Sequence, residues 1–223
     1  MSGAARHSDI AIDPRKAAQA DIRALRSRIS ELDEDAFDLI LTRARTHYSW
    51  QDRPVTEAQL RRLYDITKMG STSMNCSPAR FFFLVTPEAK QPLVPALKAK
   101  NVEKMLKAPV TVVIADDLRF WEQLDYLFPH EDRKPHFRGK EAHIRETAAR
   151  NATLQGAYMM IAARGIGLDC GPMSGFDNAI VDEAMFAGTS LRSNFLLNLG
   201  YADETAVFPR LPRLPFEEAC HIM

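Results

Sequence analysis

Three short apolar segments, each between stretches with helical periodicity, constrain the fold of this chain more than any other feature. They are residues 81–86 (FFFLVT), 109–116 (PVTVVIAD) and 193–201 (SNFLLNLGY), and their apolar, partly β-branched composition is typical of buried strands. Helices interleaved with a few strands indicate a layered domain of helices and sheet. The 223 residues are enough for one sizeable core, so we expect a single domain.

Capping signals predict where several helices begin. Ser30, followed by acidic residues, is typical of a helix N-terminus, and Thr56 with Gln59 forms a capping box for a second helix. Pro87, which follows a threonine, predicts a third helix that ends near residue 107.

The longest predicted helix, at about 144–164, carries Ala148, Ala152 and Gly156 at four-residue steps. Small side chains on one stripe allow another helix to approach closely. We therefore expect this stripe to lie in the interface of a homodimer.

The chain divides into an extension and a domain. Residues 1–29 are polar and basic with weak periodicity, so we expect an N-terminal extension that is mobile or at most a marginal helix. Residues 30–223 form the expected domain. Within it, residues 117–143 mix aromatic residues, histidines and prolines, and we interpret them as a lid-like excursion from the sheet.

Composition excludes several classes of function. The 29 Lys and Arg residues balance the 29 Asp and Glu residues, which argues against nucleic acid or an anionic membrane as the main partner. No apolar run reaches the length of a membrane span, and the first residues lack the apolar core of a signal peptide. The three cysteines are odd in number and widely spaced, which indicates reduced thiols and a cytoplasmic protein.

Four polar segments lie where predicted elements end, the positions at which rigid scaffolds present binding groups. They are 45–50 (RTHYSW), 71–78 (STSMNCSP), 171–176 (GPMSGF, in a loop after the long helix) and 209–215 (PRLPRLP). The first and last carry arginines, the second carries hydroxyls and an amide, and the third exposes glycine backbone. This set suits a ligand with an anionic end and a planar, hydrogen-bonding ring system.

Six segments in one order resemble the nitroreductase-like flavoproteins, from about residue 37 to the C-terminus. The segments are ARTHYSW, SMNCSPARF, NVEKMLKAPV, FPHEDRK, GLDCGPMSGFD and RLPRLPFEEA. Within that family, the chain looks closest to the branch that contains the malonic semialdehyde reductases of pyrimidine degradation. The resemblance implies a three-layer α+β fold (α-β-α) with a mostly antiparallel central sheet, and a homodimer with FMN at the subunit interface.

Family members move two electrons from NADH or NADPH to FMN and then to a small-molecule acceptor, in ping-pong fashion. The resemblance therefore implies an FMN-dependent NAD(P)H oxidoreductase, with FMN as the hydride carrier and no side chain assigned as acid or base. The acceptor implied by the branch is malonic semialdehyde, reduced to 3-hydroxypropionate. Two alternatives stay open: a broad nitroaromatic or quinone reductase, and a non-catalytic flavin-binding module.

The resemblance also implies which residues hold the phosphate end of FMN. Arg45 and Thr46 match positions that hold the ribityl-phosphate. Where the family has further basic residues, this chain has Ala44 and Tyr48, so other arginines must supply the missing charge. The candidates are Arg43, Arg210 and Arg213.

The ring system is implied to lie against two further segments. Asn101 matches an asparagine that binds the pyrimidine edge, and a backbone N–H near Ser174 matches one that faces flavin N5. The glycines beside Ser174 are expected because a Cβ would hold the chain away from the ring. The segment beside the ring comprises Pro172, Met173, Ser174 and Gly175. The loop implied to come from the second subunit contributes Ser71, Thr72, Ser73 and Asn75.

The excursion at 117–143 carries the prediction for the acceptor. We expect Arg133 and Arg138 to select carboxylated aldehydes, because a carboxylate is bound best by a nearby cation. Histidines at 130, 136 and 143 leave open a metal-dependent lyase, although their spacing matches no known metal cluster and no metal is assigned.

Overall fold

The protein is described here by a computed structural model covering residues 13–223. Its centre is a four-stranded sheet in the order β1-β2-β4-β3, with every neighbouring pair antiparallel. The strands are β1 (Ala79–Leu84), β2 (Val110–Asp117), β3 (Asp169–Met173) and β4 (Leu191–Gly200). The helices are α1 (Pro14–Arg28), α2 (Glu34–Phe37, continued as a π-helix over Asp38–Thr42), α3 (Glu57–Thr67), α4 (Pro87–Lys90), α5 (Ala99–Lys107), α6 (Leu124–Leu127), α7 (Lys134–Phe137), α8 (Glu141–Gly165), α9 (Asn178–Phe186) and α10 (Phe216–Ala219).

The two faces of the sheet bury two different cores. Val112 and Ile114 of β2 belong to a cluster with residues of α3 and α8, whereas Val113 and Ala115 belong to a cluster with residues of α5 and α9. Alternate side chains of a strand point to opposite faces, so helices cover both sides of one sheet. The expected three-layer α+β fold with an antiparallel sheet is confirmed.

The small-residue stripe on α8 faces the chain's own core. Ala148 and Ala152 are fully buried. A Cβ on Gly156 would lie 2.4 Å from the ring of Phe195 and 3.2 Å from the side chain of Ile114. The expectation that this stripe forms a dimer interface is therefore wrong, because small side chains here let the helix approach its own sheet.

Capping signals located one predicted helix start correctly and misplaced another. The Thr56–Gln59 capping box is confirmed, with both reciprocal hydrogen bonds present at the start of α3. The start predicted at Ser30 is wrong: Asp33 caps α2, and its carboxylate accepts from the Ala36 N–H at 2.8 Å. Ser30 and Asp33 are both of residue types that cap helices, and the local sequence does not decide between them.

The helix expected over 87–107 is interrupted. It begins as predicted at Pro87, with Thr86 as its cap, but changes to a 3₁₀ turn over Gln91–Ala96 before α5 begins. Pro92 and Pro95 lie in that turn, and proline cannot donate the hydrogen bond that a continuing α-helix requires.

The extension and the excursion differ in burial. Of the extension, residues 13–29 are described and include α1, which buries no residue; residues 1–12 lie outside the described part. In the excursion, Phe120, Leu124 and Phe137 are buried in a third cluster with Cys76 and Ile144. Residues 117–143 are thus anchored to α8 by a core of their own, and their role as a lid stays a prediction. Within residues 13–223, no helix has the length and apolar character that crossing a bilayer requires.

Candidate active site

The first and third polar segments lie side by side. Thr46 forms a parallel bridge with Cys170, and the His47 N–H donates to the Cys170 carbonyl at 2.9 Å. A Cβ on Gly171 would lie 2.5 Å from the His47 carbonyl oxygen, so only glycine fits there. The first half of the segment predicted as a loop, residues 171–173, belongs to strand β3, and Gly171 allows the approach of the chain's own backbone rather than that of a ligand.

Gly175, two residues beyond β3, has the opposite surroundings. A Cβ there would meet no atom within 4 Å. The neighbouring segment is fixed, because the Asp177 N–H donates to the Ala96 carbonyl at 3.0 Å and Leu97 bridges Phe176. Gly175 therefore exposes backbone on a rigid surface with room for a flat group.

A cavity of about 690 Å³ opens beside Gly175. We call it the lysine cavity, because Lys98 and Lys100 stand in its wall together with Asn101. Two residues that the sequence analysis assigned to the ring system, Asn101 and Gly175, are thus brought together. The remaining lining residues are Ala96, Phe176, Asp177, Asn178 and Ala179.

A second cavity, of about 930 Å³, brings the first and last polar segments together. We call it the arginine cavity, because Arg45, Arg210 and Arg213 line it along with Thr46. The Arg210 guanidinium donates to the Ala44 carbonyl at 3.0 Å, and that of Arg45 donates to the Phe208 carbonyl, so the tail is tied to the first segment.

The charge of the arginine cavity is one-sided. Five cations line it, and none of its lining residues is acidic. In a chain whose charges balance overall, such a wall favours an anionic ligand, with arginine forks suited to phosphate. The five cations are Arg45, Lys104, Arg164, Arg210 and Arg213.

Helix α5 joins the two cavities. Asn101 lines the lysine cavity and Lys104 lines the arginine cavity, and residues three apart share one helix face. The Lys104 ammonium lies 4.1 Å from the centroid of the Tyr48 ring. The C-terminal end of α5 is held by buried Lys90, whose ammonium donates to the Met105 carbonyl at 3.3 Å. The two cavities therefore open along the same face of α5, although they share no lining residue.

Sequence reasoning missed Lys104 and Arg164. Lys104 follows Asn101 by three residues in NVEKML, so helical spacing alone was enough to find it. Arg164 lies at the end of α8, and only the tertiary fold brings it to this cavity; its guanidinium donates to the Ile40 carbonyl at 3.0 Å.

Arg43 lines a further cavity, of about 650 Å³, and lies 3.8 Å from Asp38. Arg45 and Arg164 line this cavity as well, whereas Arg43 does not line the arginine cavity. Arg210 and Arg213 therefore share the arginine cavity with Arg45, and Arg43 stays a candidate from the neighbouring cavity.

His47 lines the cavity of Arg43, 3.4 Å from Asp169. Burial lowers the pKa of His47, helped by the positive charges of Arg164 and Arg45 and opposed by Asp169.

The loop carrying the second polar segment opens into a separate cavity of about 1040 Å³, which we call the loop cavity. Its walls include Ser71, Thr72 and Asn75, and none of its lining residues lines the arginine or lysine cavity. The Ser73 N–H donates to the Asn151 side-chain oxygen at 2.8 Å, and the Asn75 amide donates to the Leu127 carbonyl at 2.9 Å. The loop is therefore held in place by residues that line neither the arginine cavity nor the lysine cavity.

The two arginines of the excursion line none of these cavities. Arg133 pairs with Glu131 at 2.7 Å, and Arg138 follows α7. Their role in acceptor selection stays a prediction. The ring nitrogens of His136 and His143 lie 3.1 Å apart, and among the described residues no three His, Cys, Asp or Glu side chains group as a metal site would require. Burial raises the pKa of Cys76 to about 11, which is the behaviour of a core thiol rather than a nucleophile.

Comparison with known proteins decides the family. A model described as the nitroreductase family matches residues 41–201. The chain belongs to the nitroreductase family. Similar proteins of this family include one from Burkholderia lata, 54% identical over 194 residues that span 87% of this chain and all of the relative. Another, from Stenotrophomonas maltophilia, is 54% identical over 86% of this chain and 97% of its own length. Both are provisionally named NADH dehydrogenase/NAD(P)H nitroreductase.

Solved structures with the nitroreductase fold superpose on most of the chain. A Bacillus subtilis protein, provisionally named a nitroreductase, gives a TM-score of 0.75 at 18% identity and covers 86% of this chain and 100% of its own. An Exiguobacterium sibiricum protein, solved in complex with FMN, gives 0.74 at 20% identity, over 86% of this chain and 99% of its own. At these identities the likeness establishes the shared fold.

Proposed function

We propose that this member of the nitroreductase family is an FMN-dependent oxidoreductase that uses NADH or NADPH. The observation that carries the proposal is the arginine cavity, which is lined by five cations and no acidic residue and opens on the same face of α5 as the cavity at the exposed backbone of Gly175. A phosphate with a flat ring system attached matches both ends of this surface. The FMN held by the Exiguobacterium relative and the names of the Burkholderia and Stenotrophomonas relatives support the same function.

Each part of FMN has a set of residues suited to it. The phosphate would be bound by Arg45, Arg210 and Arg213, with Arg43 as a further candidate because Arg45 also lines its cavity, and the ribityl chain by Thr46. The polar ring edge would be bound by Asn101, and the ring would lie against the backbone of 173–175. Bound FMN supplies two-electron hydride chemistry; the protein's part is to hold it, orient it and set the hydrogen bonds around its ring.

We further propose that the active form is a homodimer. Ser71, Thr72 and Asn75 line the loop cavity, and Ser73 lies in the same loop; the loop cavity shares no lining residue with the arginine or lysine cavity. Around the arginine cavity, Leu41, Phe208 and Leu211 are 51%, 68% and 76% exposed, an apolar surface that a second copy would cover. A second copy would also bring its loop to the flavin.

The acceptor we propose is malonic semialdehyde, which the six resembling segments support, with 3-hydroxypropionate as product. A second candidate is a broad nitroaromatic or quinone reductase, which the names of the relatives favour. Arg133 and Arg138 are retained as proposed acceptor contacts. The described thiols Cys76, Cys170 and Cys220 are free, which supports the cytoplasmic location that we also propose.

The test is spectroscopic. Purified protein reconstituted with FMN is expected to show bound-flavin absorbance that bleaches anaerobically with NADH or NADPH and returns when an acceptor is added. Malonic semialdehyde, a quinone and a nitroaromatic compound compared as acceptors rank the candidate substrates. Bound flavin that neither nicotinamide reduces would support the non-catalytic binding module instead, and absence of flavin binding would contradict the proposal.

A further inference from the structure

Two lysines of the lysine cavity have no acidic partner. Lys98 and Lys100 take part in none of the ion pairs formed within residues 13–223. By contrast, Lys107 at the other end of α5 pairs with Glu103 at 2.7 Å. The cavity beside Gly175 is therefore lined by two cations that are free to bind an anion.

The one acidic residue in this wall is already engaged. The Asp177 carboxylate accepts hydrogen bonds from the backbone N–H groups of Ala179 at 2.9 Å and Ile180 at 3.4 Å, at the start of α9. A carboxylate held as a helix cap is satisfied by those donors and is directed at its own helix. The wall as a whole keeps an excess of positive charge.

The lysines stand on a fixed segment. Lys98 immediately precedes α5, and its carbonyl accepts from the Asn101 N–H at 2.7 Å. The two residues before Lys98 are held against the segment that follows Gly175: the Asp177 N–H donates to the Ala96 carbonyl, and Leu97 forms a β-bridge with Phe176. The backbone that carries Lys98 and Lys100 is therefore held in place relative to Gly175. A contact that determines specificity requires such a fixed position.

We propose that Lys98 and Lys100 bind the carboxylate of a small acceptor whose reducible carbon would lie over the proposed flavin ring beside Gly175. This inference rests on the proposed function and names its substrate class: short aldehydes that bear a carboxylate. In the reaction the aldehyde carbon gains a hydride that originates from NADH or NADPH, and its oxygen gains a proton from solvent. The nicotinamide is oxidised, and the carboxylate is unchanged and serves only for binding.

The test compares a charged with an uncharged aldehyde. Lys98→Gln, Lys100→Gln and the double variant are assayed with malonic semialdehyde and with butanal, and Lys107→Gln serves as a matched control on the same helix. The double variant is expected to lose about 10- to 100-fold in kcat/KM for malonic semialdehyde and about twofold or less for butanal, because both cations that would bind the carboxylate are removed. Lys98→Arg, which keeps the charge, should lose less than Lys98→Gln.

A binding measurement gives a readout that does not depend on turnover. Malonate, which cannot be reduced, should bind the flavin-loaded wild type in calorimetry and bind the double variant about tenfold or more weakly. Flavin content and anaerobic reduction by NADH and NADPH are measured on every variant. If these fail in the wild type, the proposed function itself is wrong, and the inference falls with it.

With flavin binding and reduction intact, three results would overturn the inference alone. The first is equal loss for both aldehydes, or no loss. The second is a loss confined to reduction by NADH or NADPH, which would assign the lysines to the nucleotide phosphates. The third is a carboxylate-selective loss in Arg133→Ala and Arg138→Ala but not in the lysine variants, which would place the anion at the excursion.

Discussion

The α5 face and the 71–75 loop are two regions suited to one ligand, but the fold presents them differently. Along one face of α5, the chain presents five cations in the arginine cavity, and Asn101 with the open backbone of Gly175 in the lysine cavity. The loop is held through Asn151 and Leu127 and opens into a cavity that no α5 residue lines. In the homodimer proposed above, each chain carries two half-sites, so ligand binding should depend on association.

The largest expected effect comes from removing the charged end of the α5 surface. Arg45→Ala and Arg213→Ala should each weaken FMN binding by about 1.5–3 kcal/mol, because each loses a charge-assisted contact to phosphate. Arg61→Ala is the matched control, because Arg61 pairs with Glu57 on α3 and lines neither the arginine cavity nor the cavity of Arg43. Flavin fluorescence titration gives the affinities, and circular dichroism checks the fold. Equal affinities in Arg61→Ala and Arg45→Ala would show that the phosphate end is misassigned.

The next effect separates two glycines four residues apart. Gly175→Val should leave thermal stability unchanged, because a Cβ there meets no atom within 4 Å, and should lower FMN affinity at least tenfold by blocking the ring.

Gly171→Ala should behave in the reverse manner. Its Cβ would lie 2.5 Å from the His47 carbonyl, so we expect a loss of about 1–3 kcal/mol in unfolding free energy from overpacking. Chemical denaturation of both variants without flavin makes the comparison. A stable Gly171→Ala together with an unstable Gly175→Val would reverse the roles that we assign to the two glycines.

The smallest effect concerns pH and arises at His47, which lines the cavity that Arg43 and Arg45 share. Burial holds the pKa of His47 below its ordinary value of 6.5 in the folded chain. The unfolded chain therefore binds a proton more readily, so stability should rise with pH through the interval from the folded pKa up to about 6.5 and be independent of this group above it. His47→Gln should flatten the acid side of the stability profile measured by denaturation. An unchanged profile would mean that other groups set the acid limb.

Local signals were enough for the strands and for several helix ends. The three apolar segments became β1, β2 and β4, and the Thr56–Gln59 box starts α3, because propensity and capping act over a few residues. Strand β3 was read as a loop, since Gly171 and Pro172 favour turns. Its pairing with β4 comes from contacts distant in sequence.

The sequence named candidate site residues but not how the fold groups them. Motif resemblance proposed Arg45, Asn101 and Gly175, and the fold places Asn101 and Gly175 in one cavity and Arg45 in another. The stripe containing Gly156 was assigned to the wrong neighbour, because four-residue spacing shows that something approaches closely and not whether it is a helix or a sheet. Arg164 was missed, since only tertiary packing brings the end of α8 to the cavity.

The most direct test of the account is a mixed dimer. One chain carries Arg45→Ala and Arg213→Ala, the other carries Ser71→Ala and Asn75→Gly, and the two are co-expressed with different tags and purified through both. Each variant alone should bind FMN weakly. In the mixed dimer one site receives two intact half-sites and the other two defective ones, so about half of the sites should bind FMN with wild-type affinity. Binding no tighter than in either variant alone, or a wild-type monomer that holds FMN tightly, would contradict the claim that two chains complete the site.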